Sequence, residues 1–138
     1  MAVLRKLKSE EKGQSVTEFA IILPVFVLLI TGVLVLGSII YAKTVVVLAA
    51  SQAARVGGAI YDDSSLTLYE KDEKIRNTAL TVVSNGLTGE DRTVTITQVG
   101  NEIKVKVSYT YYIPLPLIRS LFSNHSVDIN FTSSYLIL

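Results

Sequence analysis

Hydrophobic positions along this chain change their spacing twice. Over residues 19–42 they are nearly continuous, and no charge interrupts them between Glu18 and Lys43. As a helix this run is about 36 Å long, enough to cross a ~30 Å hydrocarbon core with some tilt. Pro24 inside it predicts a mild kink, which membrane helices tolerate. Gly32, Gly37 and Ser38 form a small-residue strip where another helix can approach closely.

Past Lys43 the texture becomes helical and finer. Val46, Ala49, Ala50, Ala53, Val56, Gly57 and Ile60 recur near i, i+3/i+4 and i+7, with Ser51, Gln52 and Arg55 elsewhere around the helix. One continuous helix over about 15–56 is predicted, its second half gripped by a soluble head and ending near Gly57-Gly58. Tyr61-Asp62-Asp63-Ser64-Ser65 reads as a solvated turn. Its paired aspartates lack the ligand spacing of a calcium loop. Thr67-Leu68-Tyr69-Glu70 matches a capping box and opens a second helix over 67–84, with Ile75, Ala79, Val82 and Val83 on one face. Asn85-Gly86 is its expected stop.

In the last third the period falls to two. Residues 93–97 alternate, Gly100-Asn101 signals a hairpin, and Ile103, Val105, Val107, Tyr109, Tyr111 and Ile113 share one face of the next strand. Pro114 and Pro116 end that strand, 117–122 reads as a short helical turn, and Val127, Ile129, Phe131, Tyr135 and Ile137 mark a third strand. The fold class is therefore α+β: a long N-terminal transmembrane helix extends into a small head with one further helix and a three-stranded antiparallel sheet. The sheet's apolar face needs the long helix as cover. Three segments follow: a basic leader over 1–13, a transmembrane part over 14–42, and an extracytoplasmic head over 43–138.

Composition adds little to this patterning, but charge orients it. The hydrophobic fraction is 49%, the net charge +1, and cysteine is absent. Disulfides, thiolate metal sites and thiol nucleophiles are thereby excluded, and nothing global favours nucleic acid. The leader carries Arg5, Lys6, Lys8 and Lys12 against Glu10 and Glu11, so four minus two gives +2. Residues 43–62 hold only Lys43 and Arg55 as cations. That bias places the N-terminus in the cytoplasm.

Three kinds of segment share such a start. A secretory signal peptide needs an apolar core of about 7–15 residues, and this one is much longer. An uncleaved anchor fits length and charge. A precursor cut on the cytoplasmic side, between Gly13 and Gln14, fits them too and gives Glu18 a purpose. As a plain capping box, Ser15-Val16-Thr17-Glu18 satisfies a helix start, where the dipole also favours a carboxylate. In a cut chain, a free amine appears at Gln14 and Glu18 lies one turn inside the helix. A carboxylate deep in lipid costs about 2.5–3.5 kcal/mol, and a cationic amine on an adjacent copy offsets it. Glu18 then reports assembly.

Gly13-Gln14-Ser15-Val16-Thr17-Glu18-Phe19-Ala20, the apolar run with Pro24, Gly32 and Tyr41, and Ala49-Ala50-Ser51-Gln52-Ala53-Ala54-Arg55 resemble the TadE-like pseudopilins. These are minor subunits of the tight-adherence (Flp) type IV pilus machinery. The late strand Tyr111-Tyr112-Ile113-Pro114-Leu115-Pro116-Leu117 is similar in pattern as well. The resemblance implies cleavage after Gly13 by a membrane-embedded prepilin peptidase, with Gln14 becoming the first residue and Glu18-Phe19 serving assembly. It implies other pilins or pseudopilins, the pilus assembly platform and the membrane as partners, and no cofactor. The expected place is the bacterial inner membrane, single-pass, with the head outside and a role in adhesion or secretion. Major pilins of that system are shorter and carry Glu-Tyr where this chain has Glu18-Phe19, which favours a minor role. The alternative is a non-polymerising, membrane-tethered scaffold or binding protein. Catalysis is not expected: the only histidine, His125, lies in a polar stretch, and no nucleophile set, metal cluster or phosphate loop accompanies it.

Overall fold

A computed structural model describes residues 2–89, 91–113 and 126–137, with side chains from Gln14 onward. Helix α1 runs over Ala2–Ile60, α2 over Leu68–Gly86, and strands β1, β2 and β3 over Arg92–Val99, Glu102–Tyr112 and Ser126–Leu136. This is the expected α+β set. The expected helical turn over 117–122, with Pro114, Pro116 and His125, lies outside the described residues.

The chain forms two compact units, Met1–Gly37 and Ser38–Leu138. The first consists only of the N-terminal part of α1. It starts at Ala2 rather than near Ser15, because the leader is built mostly of Ala, Leu, Arg, Lys and Glu, all good helix formers. Gly13 costs only about 1 kcal/mol inside such a helix and does not stop it. Large apolar side chains over 16–36 except Val35, among them Phe19, Phe26, Leu29 and Leu34, stand exposed. Thr31 donates its hydroxyl to the Val27 carbonyl at 2.7 Å, so it brings no unmet donor into the apolar run.

The second unit has two layers, α2 and the end of α1 on one face of a sheet, with a single core between them. Its sheet has the order β1-β2-β3, antiparallel throughout, with Val94 opposite Val107 and Val107 opposite Phe131. The β1–β2 turn has positive φ at Gly100 (60°) and at no non-glycine residue. Positive φ at the first central position alone is the type II′ pattern, which matches the strands' twist. Ile137 is strapped to this turn through its N–H to the Asn101 carbonyl at 2.8 Å.

Ile103, Val105, Val107 and Tyr109 of β2 point inward, joined by Val94, Ile129 and Ile113. Against them lie Val46, Ala49, Ala50, Ala53 and Ala54 of α1, with Ile75, Ala79 and Val83 of α2. Lys71, Ile75, Ala79 and Val83 are spaced by four, giving α2 one buried stripe. The capping box at its start is present: Glu70 N–H donates to Thr67 Oγ1 at 3.3 Å, and Thr67 N–H donates to Glu70 Oε2 at 2.8 Å.

Three glycines expected to mark helix ends are all close-approach positions, and of them Gly86 also ends its helix as expected. Gly57 and Gly58 lie inside α1, which continues to Ile60. A Cβ on Gly58 would come within 2.1 Å of the Tyr135 ring, and one on Gly57 within 3.1 Å of Ile75. Gly86 does close α2, but its φ is not positive, and Leu87 in extended conformation supplies the cap by donating to the Val83 carbonyl at 2.8 Å. A Cβ on Gly86 would sit 2.8 Å from Val45. All three are close-approach positions. The true end of α1 is marked by Lys71, whose ammonium donates to the Tyr61 carbonyl at 2.6 Å and lies 5.5 Å from the Tyr61 ring centre. A cation there complements the negative end of the helix.

Candidate functional site

The candidate processing and assembly residues, Gly13 to Phe19, occupy nearly two turns of α1. The backbone at Gly13 and Gln14 is helical, so the expected cut falls in a helix. Gln14 and Glu18 are four residues apart, which stacks them on one face. The Gln14 Nε2 donates to Glu18 Oε1 at 3.1 Å, and both side chains are exposed. Phe19 lies about 100° further round and is 63% exposed. Glu18 and Gln14 are thus brought together, while Phe19 faces elsewhere.

Ser15 does not cap a helix start here, since α1 passes through it from Ala2. The Glu18 carboxylate is held by the Gln14 amide instead of a free backbone N–H. The sequence signal for that contact is the (i, i+4) spacing, which the capping-box match masks. At Gly32 and Gly37 an added Cβ would meet nothing within 4 Å. Their five-residue spacing puts them about 140° apart around the helix, so they do not form a single strip.

Gln14–Ile60 is the one helical stretch among the described residues that is long and apolar enough to cross a membrane, and its apolar window is almost entirely unburied. Water leaves such a surface poorly covered, because exposed apolar patches beyond a few hundred Å² are rare on soluble monomers. The helix supports single-pass anchoring in a membrane.

Polar features of the head are structural in character. Asp63 accepts from the Ser65 N–H at 2.9 Å and the Ser65 hydroxyl at 2.6 Å, which lowers its carboxyl below the ordinary range and closes the turn after α1. Tyr109 donates to the Thr88 carbonyl at 2.7 Å, tying the α2–β1 connection to β2, and burial pushes its phenol up. On the sheet's polar face, Asp91, Arg92, Thr93, Ser108, Thr110 and Tyr112 line an open groove of about 430 Å³. Tyr112 donates to Asp91 across it at 2.6 Å. Tyr61 and Gln98 also share a hydrogen bond.

The family model described as TadE-like protein matches residues 13–55. The resemblance read in the opening residues is borne out over that stretch, which begins at Gly13 and contains Gln14, Glu18 and Phe19. The match is a likeness to that family over this stretch, and the apolar helix supports association with a membrane. No curated protein and no solved structure matches the chain.

Proposed function

We propose that this protein is a minor pilin or pseudopilin of a tight-adherence pilus, serving pilus assembly, adhesion or secretion. Its N-terminus lies in the cytoplasm and its head outside the inner membrane. A prepilin peptidase cuts between Gly13 and Gln14, and the freed amine of one copy pairs with Glu18 of the next, beside Phe19. Other pilins or pseudopilins and the assembly platform are its partners, with no cofactor and no catalysis of its own.

One observation carries this reading. An exposed carboxylate stands at the entry to an exposed apolar helix, one turn from Gln14, inside the stretch that matches the family model. A carboxylate in that position is costly in lipid unless a cation joins it.

Intact mass of the protein after co-expression with its prepilin peptidase is the direct test. A chain beginning at Gln14 is expected, and Gly13→Ala should leave the leader attached. A chain still beginning at Met1 or Ala2 beside normal filaments would replace this reading with the membrane-tethered scaffold. Glu18→Val should insert normally but fail to enter filaments.

A further inference from the structure

An N-terminal glutamine is chemically unstable in a way that bears on the amine just described. Its α-amine can attack its own side-chain Cδ. The N–Cδ bond forms, the Cδ–Nε2 bond breaks, and Nε2 leaves as ammonia with a proton from the attacking nitrogen. The product, pyroglutamate, is a neutral lactam without a cationic amine. No oxidant or second reactant is needed.

We infer that Gln14, once it is the first residue, is a cyclisation site and that Glu18 of the same chain holds it open. This rests on the proposed cut after Gly13 and adds a second task to the carboxylate. Ring closure requires Cδ to curl back onto the residue's own nitrogen. In the uncut chain the side chain is already engaged elsewhere, its Nε2 bonded to Glu18 Oε1 at 3.1 Å, one turn toward the C-terminus. While that bond lasts, the carbon under attack is kept away from the amine.

The consequence is a conditional lifetime for assembly competence. A subunit whose Gln14 has cyclised has no cation to offer a neighbour's Glu18. The loss is covalent, so such a subunit is withdrawn from assembly. Glu18 thus protects the amine in the free subunit and receives a neighbour's amine in the assembled one.

The test separates this from processing. A full mature chain is released from a fusion by a protease that leaves Gln14 first, with no prepilin peptidase involved, and kept in detergent micelles. Intact mass then follows the loss of one ammonia over time. Glu18→Ala should cyclise about twofold faster than the parent, the size expected for losing one exposed (i, i+4) pair. Glu18→Gln, which keeps an acceptor oxygen without the charge, should fall between them. Equal rates in all three, or no ammonia loss in any, would overturn the inference. A precursor that the peptidase leaves uncut would sink the processing step alone, because the rate comparison does not depend on it.

Discussion

Helix α1 is read twice by its surroundings, and the two halves differ in side-chain size rather than in helical character. Over 16–36 the large apolar positions are Leu, Ile, Val and Phe, and all but Val35 stand exposed. Over 42–57 the inward positions are chiefly Ala, Val and Gly, and Ala49, Ala50, Ala53 and Ala54 are fully buried. Branched side chains suit a surface that fluid lipid tails can cover, because lipid adapts to any contour. Small ones suit a surface meeting a rigid sheet and a second helix, because protein interiors are packed like crystals and leave no slack. The same backbone therefore serves two solvents, and the choice is written in volume.

The largest expected effect tests whether the two halves are energetically separate. Ile103, 1% exposed, packs in the head core. Ile103→Ala should cost about 2–5 kcal/mol, seen as a lower midpoint for head unfolding by near-ultraviolet circular dichroism in detergent. Leu29→Ala removes a similar volume from an exposed position and should leave that midpoint in place. Equal losses from both would erase the distinction.

The next effect sharpens the claim about volume. Ala50→Leu inserts bulk where the side chain has 0% exposure, and should cost about 1–3 kcal/mol through overpacking. Ala20→Leu adds the same bulk on the exposed half and should be neutral to head stability. A tolerated Ala50→Leu would mean the helix–sheet seam is looser than the buried alanines imply.

The smallest effect lies at the cap that starts α2. Thr67→Ala should cost about 1 kcal/mol through loss of the cap. Its partner Glu70 has a carboxyl held below its ordinary value of 4.5 by hydrogen bonds from Thr67. A depressed folded value means the contribution is present above 4.5 and is lost as pH falls through the lower folded value. The stability gap between parent and Glu70→Ala should therefore be seen at neutral pH and shrink in acid. A gap that persists in acid would assign Glu70 a role other than its charge.

Much of this architecture was legible along the chain. The uncharged run past Glu18, the Thr67/Glu70 capping box, the Gly100-Asn101 turn and the alternation of β2 each rest on a local periodicity or a local hydrogen bond. Such features need no distant partner, and the structure has them where the pattern places them. Less legible were the limits of α1. Its start at Ala2 reflects intrinsic propensity in the leader, which the motif at Ser15 masked.

What the sequence alone determined is the order of elements, the membrane-length helix and the (i, i+4) relation of Gln14 to Glu18, because helix and strand periods are properties of the backbone. Only the tertiary structure decided what Gly57, Gly58 and Gly86 are for. A glycine marks either a turn in the chain or a place where another group comes close, and composition cannot separate the two. Tyr135, Ile75 and Val45 settle the matter by occupying the space that a Cβ would need.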